Sequence, residues 1–175
     1  EITSTVRASM DNTGSELERS KAGNVTLKAQ DDSDFTIFTG AGAGGTRGLG
    51  ASVNVSIMDN HVSAFMTDTF LDASGTVTLD ADETAIFDTY AIAVGIGTLG
   101  SSFAGSVVVN TLTNQTKAYI ADGSSITSVG KLSIDAENDT IIRAGAGSLS
   151  FAGGGRGLAI GGSLNVNTLA NEAFA

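Results

Sequence analysis

An eleven-residue stretch, GASVNVSIMDN (residues 50–60), returns as AGSVVVNTLTN (104–114) and again as GGSLNVNTLAN (161–171). Its serines fall at Ser52, Ser106 and Ser163, and Asn60, Asn114 and Asn171 follow them at the same nearly even spacing. A second motif, GNVTLKA at Gly23, recurs as GTVTLDA at Gly75 and GKLSIDA at Gly130. A third, VSAFMTD at Val62, matches TKAYIAD at Thr116 and, more loosely, VRASMDN at Val6. Recurrence at a fixed period of this size belongs to solenoids, propellers and arrays, whose units bury their apolar faces only against one another. Three cassettes, 1–60, 61–114 and 115–171, fill the chain, and residues 172–175 open a fourth.

Inside the cassettes the period is two. Val53, Val55 and Ile57 share one face and Asn54 and Ser56 the other; Val25, Leu27 and Ala29 alternate with Thr26 and Lys28. Alternate side chains leave opposite faces of a strand, so each run reads as a half-buried strand with its apolar face inward. Strands are expected near 6–10, 25–29, 35–38, 63–66, 77–81, 85–97, 106–112, 117–120, 132–136, 140–150 and 159–168, with a solvated loop over the polar residues 11–23, a short helical turn there being the alternative. Four strands per cassette imply two or three coils each. At about 4.8 Å per rung this gives a rod of roughly 30–45 Å. The fold expected is all-β, a parallel β-solenoid, right-handed β-helix-like, built from three repeats of about 54 residues. Short antiparallel hairpins at TRG and GGGRG are the alternative.

The distance from the glycine anchor to the serine anchor (Gly23 to Ser52, Gly75 to Ser106, Gly130 to Ser163) lengthens by two positions at each step. A one-residue slip would turn every side chain to the wrong face, whereas two preserve the phase. The slack is therefore placed in loops near 46–48, 98–101 and 153–157. The glycine-rich runs TGAGAGG (39–45), YAIAVGIG (90–97) and RAGAGSLSFAGGG (143–155) have a repeated conformational cost. Close approach of a second layer to the side-chain-free face is the reason expected, with both faces of the strand covered.

Composition supports thin coils. Aromatics are 6%, Trp and Pro are absent and Gly numbers 23 of 175 residues. With no Cys there is no disulfide framework. The net charge of −10 disfavours nucleic acid and anionic membrane surfaces as partners. No run of 18 apolar residues suggests a transmembrane helix. The chain starts inside a degraded repeat and stops just after a new one opens, as a single solenoid segment excised from a longer protein would.

Few residues offer chemistry. Gly40, Gly42 and Gly45 match GxGxxG, but a strand and not a helix follows, so they read as packing glycines. His61 has Gln115 and Glu172 as equivalents, which marks an outward surface position. One His and no Cys supply neither a transition-metal site nor a catalytic triad. Asn60, Asn114 and Asn171 each close a predicted strand and read as corner residues. The acids Asp31, Asp32 and Asp34, then Asp82 and Glu83, then Glu137 and Asp139, follow matching strands and read as solvated turns. They are the weak candidates for Ca²⁺, which takes six to eight oxygens; neither a nonapeptide nor a twelve-residue calcium loop is present. No catalytic or cofactor residue is assigned.

The segments GAGAGGTRGLGASVNVSIMDN, VGIGTLGSSFAGSVVVNTLTNQTKAYIADGSSI and AGAGSLSFAGGGRGLAIGGSLNVNTLAN resemble the repeats of bacterial leukotoxin-type filamentous adhesins, related in style to filamentous haemagglutinins and autotransporter passengers. The similarity covers most of the chain beyond Gly23. It implies a secreted or cell-surface location, a host-cell protein or glycan as partner alongside neighbouring repeats of the same chain, and no catalytic residues. A non-catalytic adhesin or leukotoxin module is thus the expectation. The alternatives are a solenoid enzyme acting on polysaccharide, which needs clustered acids and aromatic platforms, and a phage-tail or ice-binding solenoid.

Overall fold

The computed structural model describes every residue except Val129 and Arg156, and the side chain of Ser128. Among the described residues ten strands follow in order: β1 (Ile2–Asp11), β2 (Ser20–Ala22), β3 (Val25–Gly45), β4 (Gly48–Thr67), β5 (Phe70–Ala73), β6 (Val77–Gly97), β7 (Ser102–Ala121), β8 (Ser125–Ser128), β9 (Leu132–Ala152) and β10 (Ala159–Phe174). Three parallel sheets result: sheet A in the order β1-β4-β7-β10, sheet B as β2-β5-β8 and sheet C as β3-β6-β9. This is a parallel β-solenoid, and the repeats are its coils. Ser52, Ser106 and Ser163 pair across neighbouring rungs, as do Asn60, Asn114 and Asn171. Val25, Val77 and Leu132 do the same in sheet C.

Each cassette makes one coil, not two or three. The expected strands 77–81 and 85–97 are a single continuous strand, β6, because Asp82 and Glu83 continue the alternation instead of turning. Likewise 106–112 and 117–120 merge through Asn114 into β7. The three short strands of sheet B, which the polar sequence hid, close each coil. The body is therefore a slab. Its long strands have a contour of about 65 Å, while the four layers of sheet A climb only about 14 Å.

In cross-section the coil is a wedge. Sheet B forms the base. Sheets A and C run from it and converge at the corner between β3 and β4. The connection at that corner lengthens from 46–47 in the first coil to 98–101 in the second and 153–158 in the third. The two-residue increments lie where the spacing located them. At the base, Val62, Met66, Leu71, Val77 and Leu79 make a conventional apolar core, with Val25 and Ala29 inward as expected. Met58, Phe87 and Leu112 form a second cluster midway.

Toward the corner the expected facing is reversed. Ser52, Asn54 and Ser56 are buried, while Val53 and Val55 are each 63% exposed. Size decides this, not hydropathy. The backbones converge so closely that a Cβ on Gly48 would lie 2.5 Å from Ile96, and one on Gly95 would lie 2.5 Å from the Phe103 carbonyl. At the narrowest end, 48–52 and 102–106, the inward residues are Gly, Ala and Ser, and Asn54 and its partner Val108 are inward one step nearer the base. Hydroxyls pair across the gap: Ser52 donates to Thr39 (3.2 Å) and Ser150 to Ser102 (2.9 Å). The close-approach explanation thus holds for Gly48, Gly50, Gly95 and Gly97. It fails for Gly42, Gly44 and Gly147, which face open space, and for Gly40, whose nearest neighbour is 3.9 Å away. The GxGxxG glycines Gly40 and Gly42 are therefore not packing glycines. Nor are both faces covered, since Ile92 and Ile96 are exposed on the outside.

The corners at sheet B belong to Asn12, Asp68 and Asp122, each with positive φ (50°, 45° and 52°). Asn and Asp tolerate the left-handed region. Residues 12–19 form an irregular loop, whereas 20–22, expected to belong to the same loop, are strand β2. Its Arg19 reaches over sheet B to Asp72, the Leu71 and Ser125 carbonyls and the Ser125 and Thr127 hydroxyls, tying three coils together.

Candidate functional site

Asn60 and Asn114 are not corners. Both are mid-strand, inward and fully buried. They belong to a polar seam that separates the two apolar clusters, and Glu83 is its centre. This carboxylate is fully buried. It accepts from Asn60 Nδ2 (3.1 Å), Thr116 Oγ1 (2.9 Å) and Asn138 Nδ2 (3.0 Å). Asn114 adds a donor to Glu83 Oε1 at 3.2 Å when its amide is turned to suit its neighbours. Asp31 and Asn138 occupy the same position in the adjoining rungs. Burial pushes the Glu83 carboxyl above the usual range; the donors oppose this and the Asp31 charge adds to it.

The pH consequence has a definite sign. A carboxyl that holds its proton more tightly folded than unfolded contributes stability below its unfolded pKa, and that contribution is lost as pH rises through the raised folded value. Glu83→Gln is expected to lose this dependence. Its melting temperature should exceed the parent's most at neutral and alkaline pH, with the gap closing near pH 4, about the unfolded glutamate pKa. Thermal melts across pH check this; a gap independent of pH would contradict it.

The calcium candidates do not assemble. All lie within strands, not turns. Asp31 and Glu83 point inward, whereas Asp32, Asp34, Asp82, Glu137 and Asp139 point outward from sheet C. Opposite faces cannot share one ion, and among the described residues no group of three or more His, Asp or Glu is placed to hold a metal. The outward acids of β6 meet Lys28 instead, at 3.0 Å from Asp80 and 3.9 Å from Asp82.

The outer face of sheet A near its base carries a different set. Outward columns run Thr5–His61–Gln115–Glu172, Arg7–Ser63–Lys117–Phe174 and Ser9–Phe65–Tyr119. His61 is outward, as expected, with Nε2 3.2 Å from Asp59. Phe65 and Tyr119 stack with centroids 5.2 Å apart and planes within 6°. Ser63 is small, so a notch opens between Arg7 and Lys117. It has a volume of 340 Å³ and is bordered by His61, Gln115 and Tyr119. A second hollow of 430 Å³ adjoins it, sharing Lys117 and Tyr119 and reaching Glu172 and Phe174.

The sequence reading missed this face. The signal lay in the third motif, where VRASMDN and TKAYIAD put a cation at one position and VSAFMTD and TKAYIAD an aromatic two residues later. A spacing of two on a strand means one face. A further surface hollow, 550 Å³ beside sheet B, is lined mostly by small residues, and its acid Asp72 is held by Arg19. No protein-family model, curated protein or solved structure matches the chain.

Proposed function

We propose that this solenoid is a non-catalytic repeat module of a large secreted or surface-exposed bacterial adhesin or leukotoxin, serving as an elongated scaffold that presents a host-cell attachment surface. The observation that carries this reading is the register. Every outward position of one coil sits beside its equivalent in the next, so side chains form columns on the outer faces, while two apolar clusters and the polar seam between them hold the interior. Such a surface offers a partner rows of groups contributed by several coils at once. The sequence resemblance to filamentous adhesins points the same way.

The test is a binding screen of the chain on host cells and immobilised glycans, with and without Ca²⁺. Saturable binding, unchanged by chelation, is expected, because the acids are split between two faces. Dose-dependent cleavage of any polysaccharide would overturn the non-catalytic reading, and absence of binding to every cell and glycan would overturn the attachment reading.

A further inference from the structure

Resting on that reading, we propose that the notch between Arg7 and Lys117 on the outer face of sheet A is a binding site for an acidic saccharide. Three features of the notch converge on this ligand class.

The first is charge. Arg7 has no hydrogen-bond or ion-pair partner among the described residues, though the chain carries a net charge of −10. Lys117 stands two rungs away in the same column, with only Ser63 between them. Lys117 lies 3.4 Å from the Gln115 side-chain amide oxygen and 3.7 Å from the exposed Glu172. Exposed pairs of this kind hold their partners weakly, so the ammonium is free to exchange Glu172 for a ligand's anion. A guanidinium left unpaired on an acidic protein is suited to a carboxylate, which it can grip with two parallel hydrogen bonds.

The second is the aromatic wall. Tyr119 borders the notch and is fixed by its parallel stack on Phe65. An ordered aromatic offers apolar area at small entropic cost, and a sugar ring has an apolar face to set against it. The third is the polar lining and the size. Thr5, Ser63 and Gln115 supply hydroxyl and amide groups able to donate and accept, as a polyhydroxylated ligand requires. The volume of 340 Å³ suits one or two sugar rings and no larger rigid partner. A bare phosphate would use the cations but leave the aromatic wall and the polar lining idle.

Two rungs contribute the cations and a third the floor, so the site exists only because the coils stack in register. This explains why no single repeat displays it.

The experiment uses the whole chain on an array of sialylated, uronic-acid, sulfated and neutral glycans matched in core structure. Acidic glycans are expected to bind about tenfold or more better than their neutral parents, and Arg7→Ala and Lys117→Ala each to lose roughly that factor. Tyr119→Ala should weaken acidic and neutral glycans alike, and Lys117→Arg should retain binding. Lys28→Ala, on sheet C, is the control for general charge and should change nothing. Circular dichroism confirms that each variant is folded. Equal binding of acidic and neutral glycans, or full binding by Arg7→Ala and Lys117→Ala together, would overturn the site. If the chain still binds cells in that case, the attachment reading survives and only this site falls. A preference for sulfated over carboxylated glycans retains the site and identifies the anion.

Discussion

Gly95→Val is expected to destabilise the solenoid by about 3 kcal/mol or more, the top of the usual range for overpacking, while Gly42→Ala stabilises it by about 0.5–1 kcal/mol. Both glycines belong to the same alternating run, in adjoining coils, and sequence alone does not distinguish them. Their surroundings do. A Cβ on Gly95 would lie 2.5 Å from the Phe103 carbonyl oxygen and 2.8 Å from Ser102 Oγ, and the first of these is backbone with ladders on both sides. Relief requires sheet A to move away from sheet C, which would break the hydroxyl contacts across the narrow end. At Gly42 an added methyl meets nothing within 4 Å, so the change acts chiefly by restricting the unfolded chain. Urea denaturation followed by circular dichroism measures both. Similar midpoints for Gly95→Val and the parent would show that the narrow end of the wedge is not close-packed.

How much of this was legible in the sequence depends on which property each position selects for. Register was legible, because Ser52, Ser106 and Ser163 must align if the repeats are coils. The corner intervals were legible because growth by two residues keeps the phase. Facing near the corner was not. Hydropathy puts Val53 and Val55 inside, but the inward phase of β4 is set by Gly48 and Gly50, where a Cβ has no room, so the valines, out of phase with them, are turned out. Where the wedge widens, at Val77 and Leu79, hydropathy and size agree and the reading held. The acids misled for a related reason. Asp82 and Glu83 looked like a turn because charge disfavours a strand, yet Asp82 faces water and the buried Glu83 carboxyl is hydrogen-bonded by a seam of Asn and Thr donors. That seam also explains Asn60 and Asn114, whose amides are inward and not at corners. The corners fell to Asn12, Asp68 and Asp122, which close the three copies of the third motif.

A single residue inserted after Asp88 in β6 is expected to abolish cooperative folding, a loss of about 5 kcal/mol or more and so comparable with a whole domain's stability. Two residues inserted in the 98–101 corner should cost only about 0.5 kcal/mol. The first change would bring Tyr90, Ile92, Val94 and Ile96 to the inner face and send Ala91, Ala93 and Gly95 out. Those bulky side chains would then point at the backbones of Gly48 and Gly50, where a single Cβ already has no room. A β-bulge could absorb the extra residue at a sheet edge. Here β6 is the central strand of sheet C, paired along its whole length with β3 on one side and β9 on the other, so a bulge would break two ladders at once. The corner insertion meets neither obstacle, because the connection there already lengthens by two positions from each coil to the next. Thermal melts of the two variants against the parent decide the matter. An unchanged, cooperative melt for the β6 insertion would mean that the inner face of the slab is not fixed by the close contact between its two long sheets.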